Sequence, residues 1–276
     1  MVRKLLFLLV MLLSACSAGC RLGESYPIAG CGLVSQIDNS ASVVEPGLLN
    51  MARRSPAELF EAGLRRCRSD IRDYRCRFIC VERLGGTLTA EQHIDVRFLA
   101  EPFSVLFEWV KNAPQAQKLL YVEGQNDGNM LVVPTLLGWL TGPIEVDPHG
   151  SSARRNARRA ITDFGFERML GRMASPCRTG RLSDGGEFQD SFAGLVEVNG
   201  ITALVVERRR LGAEPDDQSS PAAWRFCLDA RYLVPIAVTE YGRGGIILGD
   251  YVFTDLRFNT GLKPGDFSPA AIGMKK

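Results

Sequence analysis

Thiols and imidazoles are the side chains here best suited to nucleophilic or metal chemistry, and the sequence holds eight cysteines and two histidines. His93 and His149 stand apart, which leaves little material for a His-based triad or a multi-histidine metal site. No GxSxG, HExxH or P-loop pattern is present. Glu82 and Glu91 can face each other across a hairpin, an ordinary strand decoration. Cys76 and Cys80 lie four apart on an expected strand, roughly 13 Å at the strand rise, too far to bridge each other. Either can meet Cys67 or a distant cysteine, and Cys20 with Cys31 can close a loop. Cys67, Cys76 and Cys80 lack the close-paired spacing of structural zinc sites. These patterns point to no catalytic residue, no metal and no cofactor.

One cysteine has a specific chemical context. Arg3 and Lys4 precede an apolar run, Leu5 to Leu13, too short for a permanent bilayer span and of the right length for a signal-peptide core. Leu13-Ser14-Ala15-Cys16 follows: an aliphatic residue, two small ones, then a thiol, which resembles the bacterial lipobox. The expectation is cleavage before Cys16 and acylation of its sulfur. Cys20 is a weaker candidate, because Ser17 replaces the aliphatic residue. Two or more acyl chains hold a protein stably on a membrane. Ser17 after the acylated cysteine favours the outer membrane. The expected location is therefore the cell envelope, facing an oxidising periplasm.

The elements that would position a site read as mainly β. The chain has 276 residues and 46% hydrophobic residues, enough for a sizeable core, with 33 basic against 31 acidic side chains. That balance argues against a dedicated nucleic-acid binder. Residues 1–15 are expected as signal peptide, 16–52 as a flexible tether and 53–276 as one domain. Ser55-Pro56-Ala57-Glu58 predicts a helix of about 15 residues. Period-two alternation then predicts strand after strand, with turns at Gly85-Gly86, Gln125 to Asn129 and Asn199-Gly200. Residues 161–173 predict a helix, and 182–190 a loop.

On the strands, Phe78, Phe103, Phe107, Trp109, Tyr121, Trp224, Phe226, Tyr251 and Phe253 form an apolar set that either fills the core or lines a ligand cavity with a few polar anchors. Arg75, Arg77 and Arg97 anchor an anionic headgroup if they face inward, and are solvated if they do not. In the loop from Pro134 to Pro143, Leu136, Leu137, Trp139 and Leu140 either cap that cavity or touch a membrane or partner, since Trp favours membrane interfaces. Arg154, Arg155, Arg158 and Arg159 form a basic cluster, either a solvated stripe or a patch for anionic lipid.

The segments Asp73 to Cys76, Val81 to Gly86, Glu101 to Val105, Leu120 to Asn126 and Tyr251 to Asn259 occur in the order found in the bacterial domain of unknown function 1571 family, which this chain resembles over about residues 55 to 268. That family is similar in fold to the lipoprotein-localisation carriers and their receptor, LolA and LolB. The resemblance implies an α+β fold in which a strongly curved antiparallel sheet forms an incomplete barrel covered by helices. It implies a lipid, acyl chain or lipidated protein as ligand of that half-barrel. The alternative is a non-catalytic envelope protein that docks a protein partner. Fold alone does not decide between them.

Overall fold

The computed structural model describes residues 34–36 (backbone only), 44–136, 142–212 and 217–273. Pro46–Arg54 (α1) and Pro56–Asp70 (α2) each begin with a proline, whose missing N–H costs nothing in a first turn. α2 has the expected start and length. Val44, Leu48 and Ala52 are buried, so the packed body includes residues assigned above to the tether.

The strands are Val34–Gln36 (β1), Asp73–Leu84 (β2), Thr87–Leu88 (β3), Gln92–Leu99 (β4), Ser104–Lys111 (β5), Ala116–Val122 (β6), Met130–Pro134 (β7), Ile144–Val146 (β8), Phe188–Val198 (β9), Ile201–Arg210 (β10), Ala223–Asp229 (β11), Pro235–Tyr241 (β12) and Ile247–Phe258 (β13). They pair antiparallel in the order β1-β9-β10-β11-β12-β13-β2-β4-β5-β6-β7-β8, with β3 beside β2. The β9–β10 turn is Asn199-Gly200, both residues at positive φ, as a tight hairpin requires.

The expected half-barrel is not what forms. The sheet is open: β1 and β8, three residues each, lie at opposite ends of the strand order and do not pair. Closure would require those edges to meet. The outward face is also covered in part. Leu99, Leu106, Leu120, Val122, Leu131 and Val133 are buried there with Leu262, Phe267 and Ile272 of the C-terminal segment. The fold is a mixed α+β, layered arrangement with an open antiparallel sheet.

Between β8 and β9 the chain forms Ser151–Asn156 (α3), a 3-10 turn at Ile161–Asp163, and Phe166–Thr179 (α4). The helix expected over 161–173 is broken at Gly165. Its φ is +94°, and a Cβ there would lie 2.6 Å from the Phe98 ring. The break turns Phe164 inward before α4 starts. The stretch expected as a loop over 182–190 gives its last residues to β9.

Candidate functional site

Lateral register builds a charged row across one face of the sheet. Asp190, Arg208, Trp224, Glu240, Gly249 and Glu82 are successive partners on β9, β10, β11, β12, β13 and β2. Residues directly opposite in an antiparallel ladder share a face. At an interstrand spacing of ~4.8 Å the row extends roughly 24 Å. The neighbouring row on the same face is mostly apolar: Phe192, Val206, Phe226, Val238, Tyr251, Cys80 and Gln92. Phe253, Phe78, Ile94 and Trp109 make the next.

Between these rows and the α3–α4 layer lies a cavity of about 1020 Å³ with a predominantly apolar wall. It is at the upper end of the ~300–1,000 Å³ usual for small-ligand sites. Seven of the nine aromatic candidates line it: Phe78, Phe107, Trp109, Trp224, Phe226, Tyr251 and Phe253. Phe103 and Tyr121 do not. They pack together, ring centroids 5.9 Å apart, with the Arg168 guanidinium 3.6 Å above Phe103. Phe164 also lines the cavity, its ring meeting Phe107 edge-on at 4.8 Å and Phe78 at 5.5 Å. Packed core and open cavity thus share one face.

Each carboxylate of the charged row has a partner. Glu82 is buried; it accepts a hydrogen bond from the Tyr251 hydroxyl at 2.8 Å and from the Arg158 backbone N–H at 3.1 Å. Tyr251 reaches Glu82 by folding over Gly249, where a Cβ would stand 2.5 Å from the phenolic oxygen. Burial, more than any neighbour, pushes the Glu82 carboxyl up from its ordinary value. Glu240 is also buried and takes Arg159 Nη2 at 2.5 Å and Arg158 Nη2 at 3.4 Å. From α4, Arg172 donates to the Asp163 carbonyl at 2.8 Å, with the Asp163 carboxylate at 3.5 Å. At the far end Arg208 grips Asp190 through two bonds of 2.7 and 2.8 Å.

A carboxyl raised by burial lowers stability as pH rises from its unfolded value through its folded one, because the native state then holds the extra proton. Glu82→Gln is expected to flatten that decline. Its amide still accepts from the Arg158 N–H and donates to the Tyr251 oxygen. Unfolding midpoints for both proteins should converge at low pH and diverge in favour of the variant as pH rises; parallel curves would contradict the assignment.

The remaining candidates fall elsewhere. Arg75, Arg77 and Arg97 alternate with inward Cys76, Phe78 and Phe98 and so face away from the cavity; Arg77 pairs with Asp95 across the strands. Arg154 and Arg155 lie in α3, whereas Arg158 and Arg159 follow it and pair with Glu240. Glu82 and Glu91 do not face each other; Glu91 holds His93 at 2.7 Å. Leu136 is 80% exposed and Ile144 46%. Cys16, Leu137, Trp139 and Leu140 lie outside the described residues. Cys67, Cys76, Cys80, Cys177 and Cys227 are all free, and burial pushes the thiols of Cys67 and Cys227 up to about 12. Among the described residues no group of three metal-ligating side chains comes together, and no helix is long and apolar enough to cross a membrane.

Glu240, Arg172 and the Arg208–Asp190 pair carry no motif in the sequence, and Glu82 reads there only as strand decoration opposite Glu91. The strand period carries the signal for three of them: Cys76-Phe78-Cys80-Glu82, Ile236-Val238-Glu240 and Leu204-Val206-Arg208 each run inward and end on a charge.

Among solved structures, the chain is similar to a putative outer membrane lipoprotein-sorting protein domain from Vibrio parahaemolyticus (14% identity, 78% of this chain and 97% of that one, TM-score 0.39). It is similar to the lipoprotein LppX of Mycobacterium tuberculosis (12% identity, 76% and 98%, TM-score 0.40). It is also similar to a chain of the Pseudomonas aeruginosa MucA/MucB complex (15% identity, 77% and 60%, TM-score 0.44). The likeness is one of fold alone. No curated protein matches the chain. The segments from Asp73 to Asn259 that carried the resemblance all lie within residues 71–272, which match the family described as "Protein of unknown function (DUF1571)", and the chain belongs to that family.

Proposed function

We propose that this chain is an envelope lipoprotein, anchored by acyl chains on Cys16, that holds a hydrocarbon chain in the cavity between its sheet and α3–α4. One observation carries the ligand reading: an apolar hollow of about 1020 Å³ floored by Phe78, Phe107, Phe226, Tyr251 and Phe253. Burial of hydrocarbon supplies the driving force, about 25 cal/mol per Å². The envelope address rests on the Leu13-to-Cys16 pattern and the apolar run before it. The ligand is a lipid, a free acyl chain or the acyl chains of a lipidated polypeptide. Leu136 and Ile144, exposed beside residues 137–141, favour a second reading in which this corner docks a protein partner.

Native mass spectrometry of gently purified protein, with uptake of a fluorescent fatty acid, tests the reading. Ala153 lies on α3, half-buried against the cavity. Ala153→Trp fills space there and is expected to weaken uptake by about tenfold or more, since the bulk displaces several methylenes worth ~0.8 kcal/mol each. Its unfolding midpoint should stay close to that of the parent. A parent protein that carries no lipid and takes up no probe would end the carrier reading; a crosslinker at position 136 that captures one dominant protein would favour docking.

A further inference from the structure

We propose that Arg159 and Arg172 form a seat for an oxyanion, a carboxylate or a phosphate, at the head of an amphiphile whose chain lies on the apolar rows. This rests on the hydrocarbon reading above and adds a ligand class to it. Both arginines line the cavity and come from different elements, Arg159 from the segment after α3 and Arg172 from α4. Their side chains are 46% and 38% exposed, so their donors are within reach of a bound molecule.

The other lining arginines are matched one to one. Arg208 has Asp190, Arg210 has Asp184 and Arg181 has Glu187. The central cluster is not matched. Arg158 and Arg159 share the single carboxylate of Glu240. Arg172 has five N–H donors in a planar fork, yet its protein partners are one backbone carbonyl and a carboxylate 3.5 Å away. Burial holds its guanidinium below the usual arginine range, and the nearby Arg159 charge works in the same direction. Three guanidinium groups thus reach only two carboxylates, Glu240 and Asp163, which leaves N–H donors of Arg159 and Arg172 to face the cavity. A planar guanidinium binds carboxylate or phosphate through paired hydrogen bonds. An oxyanion at this point sits beside Tyr251, whose row leads directly to the apolar floor.

Equilibrium binding of palmitate, hexadecyl phosphate, hexadecanol and inorganic phosphate to the full chain, to Arg172→Gln and to Arg172→Lys tests the seat. Palmitate or hexadecyl phosphate is expected to bind at least about tenfold tighter than hexadecanol, the size of a charge-assisted hydrogen bond. Arg172→Gln should erase that margin and leave hexadecanol unchanged, which also shows that the variant is folded. Arg172→Lys should retain part of it. Inorganic phosphate that binds alone and is lost in Arg172→Gln keeps the seat and identifies its occupant as free phosphate. Equal affinity for palmitate and hexadecanol, insensitive to Arg172, overturns the seat while the hydrocarbon reading stands. Failure of all four, hexadecanol included, overturns both.

Discussion

Affinity for saturated fatty acids is expected to rise about fourfold with each added methylene, because each buried CH2 contributes roughly 0.8 kcal/mol. From a ten-carbon to a fourteen-carbon chain the gain should therefore exceed two orders of magnitude. The rise should stop once the chain outgrows the apolar rows, where Phe164 packs on Phe78 and Phe107 and takes up part of the space. That stop distinguishes a bounded cavity from adsorption to a greasy surface, where affinity keeps climbing with chain length. Fluorescence displacement across the series measures both slope and plateau. A flat series, with ten and fourteen carbons bound equally, would contradict hydrocarbon burial as the source of affinity. Phe164→Ala removes a ring from the cavity wall and should move the plateau to longer chains. Part of the gain is offset by the packing lost around that ring, a truncation costing ~3–5 kcal/mol when fully buried; Phe164 is only half-buried, so the fold should persist.

Much of this site follows from strand period alone. Alternation at Ile94, Val96 and Phe98 against His93, Asp95 and Arg97 correctly separated the two faces of β4, and the Ser55-Pro56 start placed α2. Period two also carries Glu82, Glu240 and Arg208 to the inward face. It does not show that they share one lateral row, because that depends on register between strands far apart in the chain, such as β2 and β13, which pair Glu82 with Gly249. Sheet shape is not legible in the sequence for a related reason. Alternation records which face a residue occupies and says nothing of curvature. The unbroken apolar runs at Leu119 to Val122 and Met130 to Val133 were the available sign of burial on both faces, and the C-terminal segment covers the outer one. Phe164 reads from sequence as one contact of a continuous helix; its actual direction follows from the break at Gly165, where positive φ and the nearby Phe98 ring leave no room for a side chain. In the basic cluster, composition identified the arginines but not their destinations: two of the four are spent on Glu240.

Asp190→Ala is expected to destabilise the protein by about 3–5 kcal/mol, the cost of leaving a buried charge without its partner. Arg208 and Asp190 have side chains only 4% and 7% exposed. The guanidinium lies 4.6 Å from the Phe188 ring centroid and donates to Cys177 Sγ at 3.0 Å. Neither contact replaces a bidentate carboxylate. Urea unfolding should show a lower midpoint with an unchanged slope. Replacing both partners, Arg208→Met with Asp190→Leu, removes the charge and its orphan together and should recover most of the loss, because the pair's attraction is largely offset by its desolvation. The thiol of Cys177 gives an independent readout. Burial pushes it up to about 11; Arg208 draws it down and Asp190 adds to the rise. Without Asp190 the remaining positive charge acts on the thiol alone, so alkylation of Cys177 should begin at lower pH than in the parent. An unchanged alkylation profile together with an unchanged midpoint would mean that Arg208 and Asp190 are not paired in solution, and the charged row would lose its fixed end.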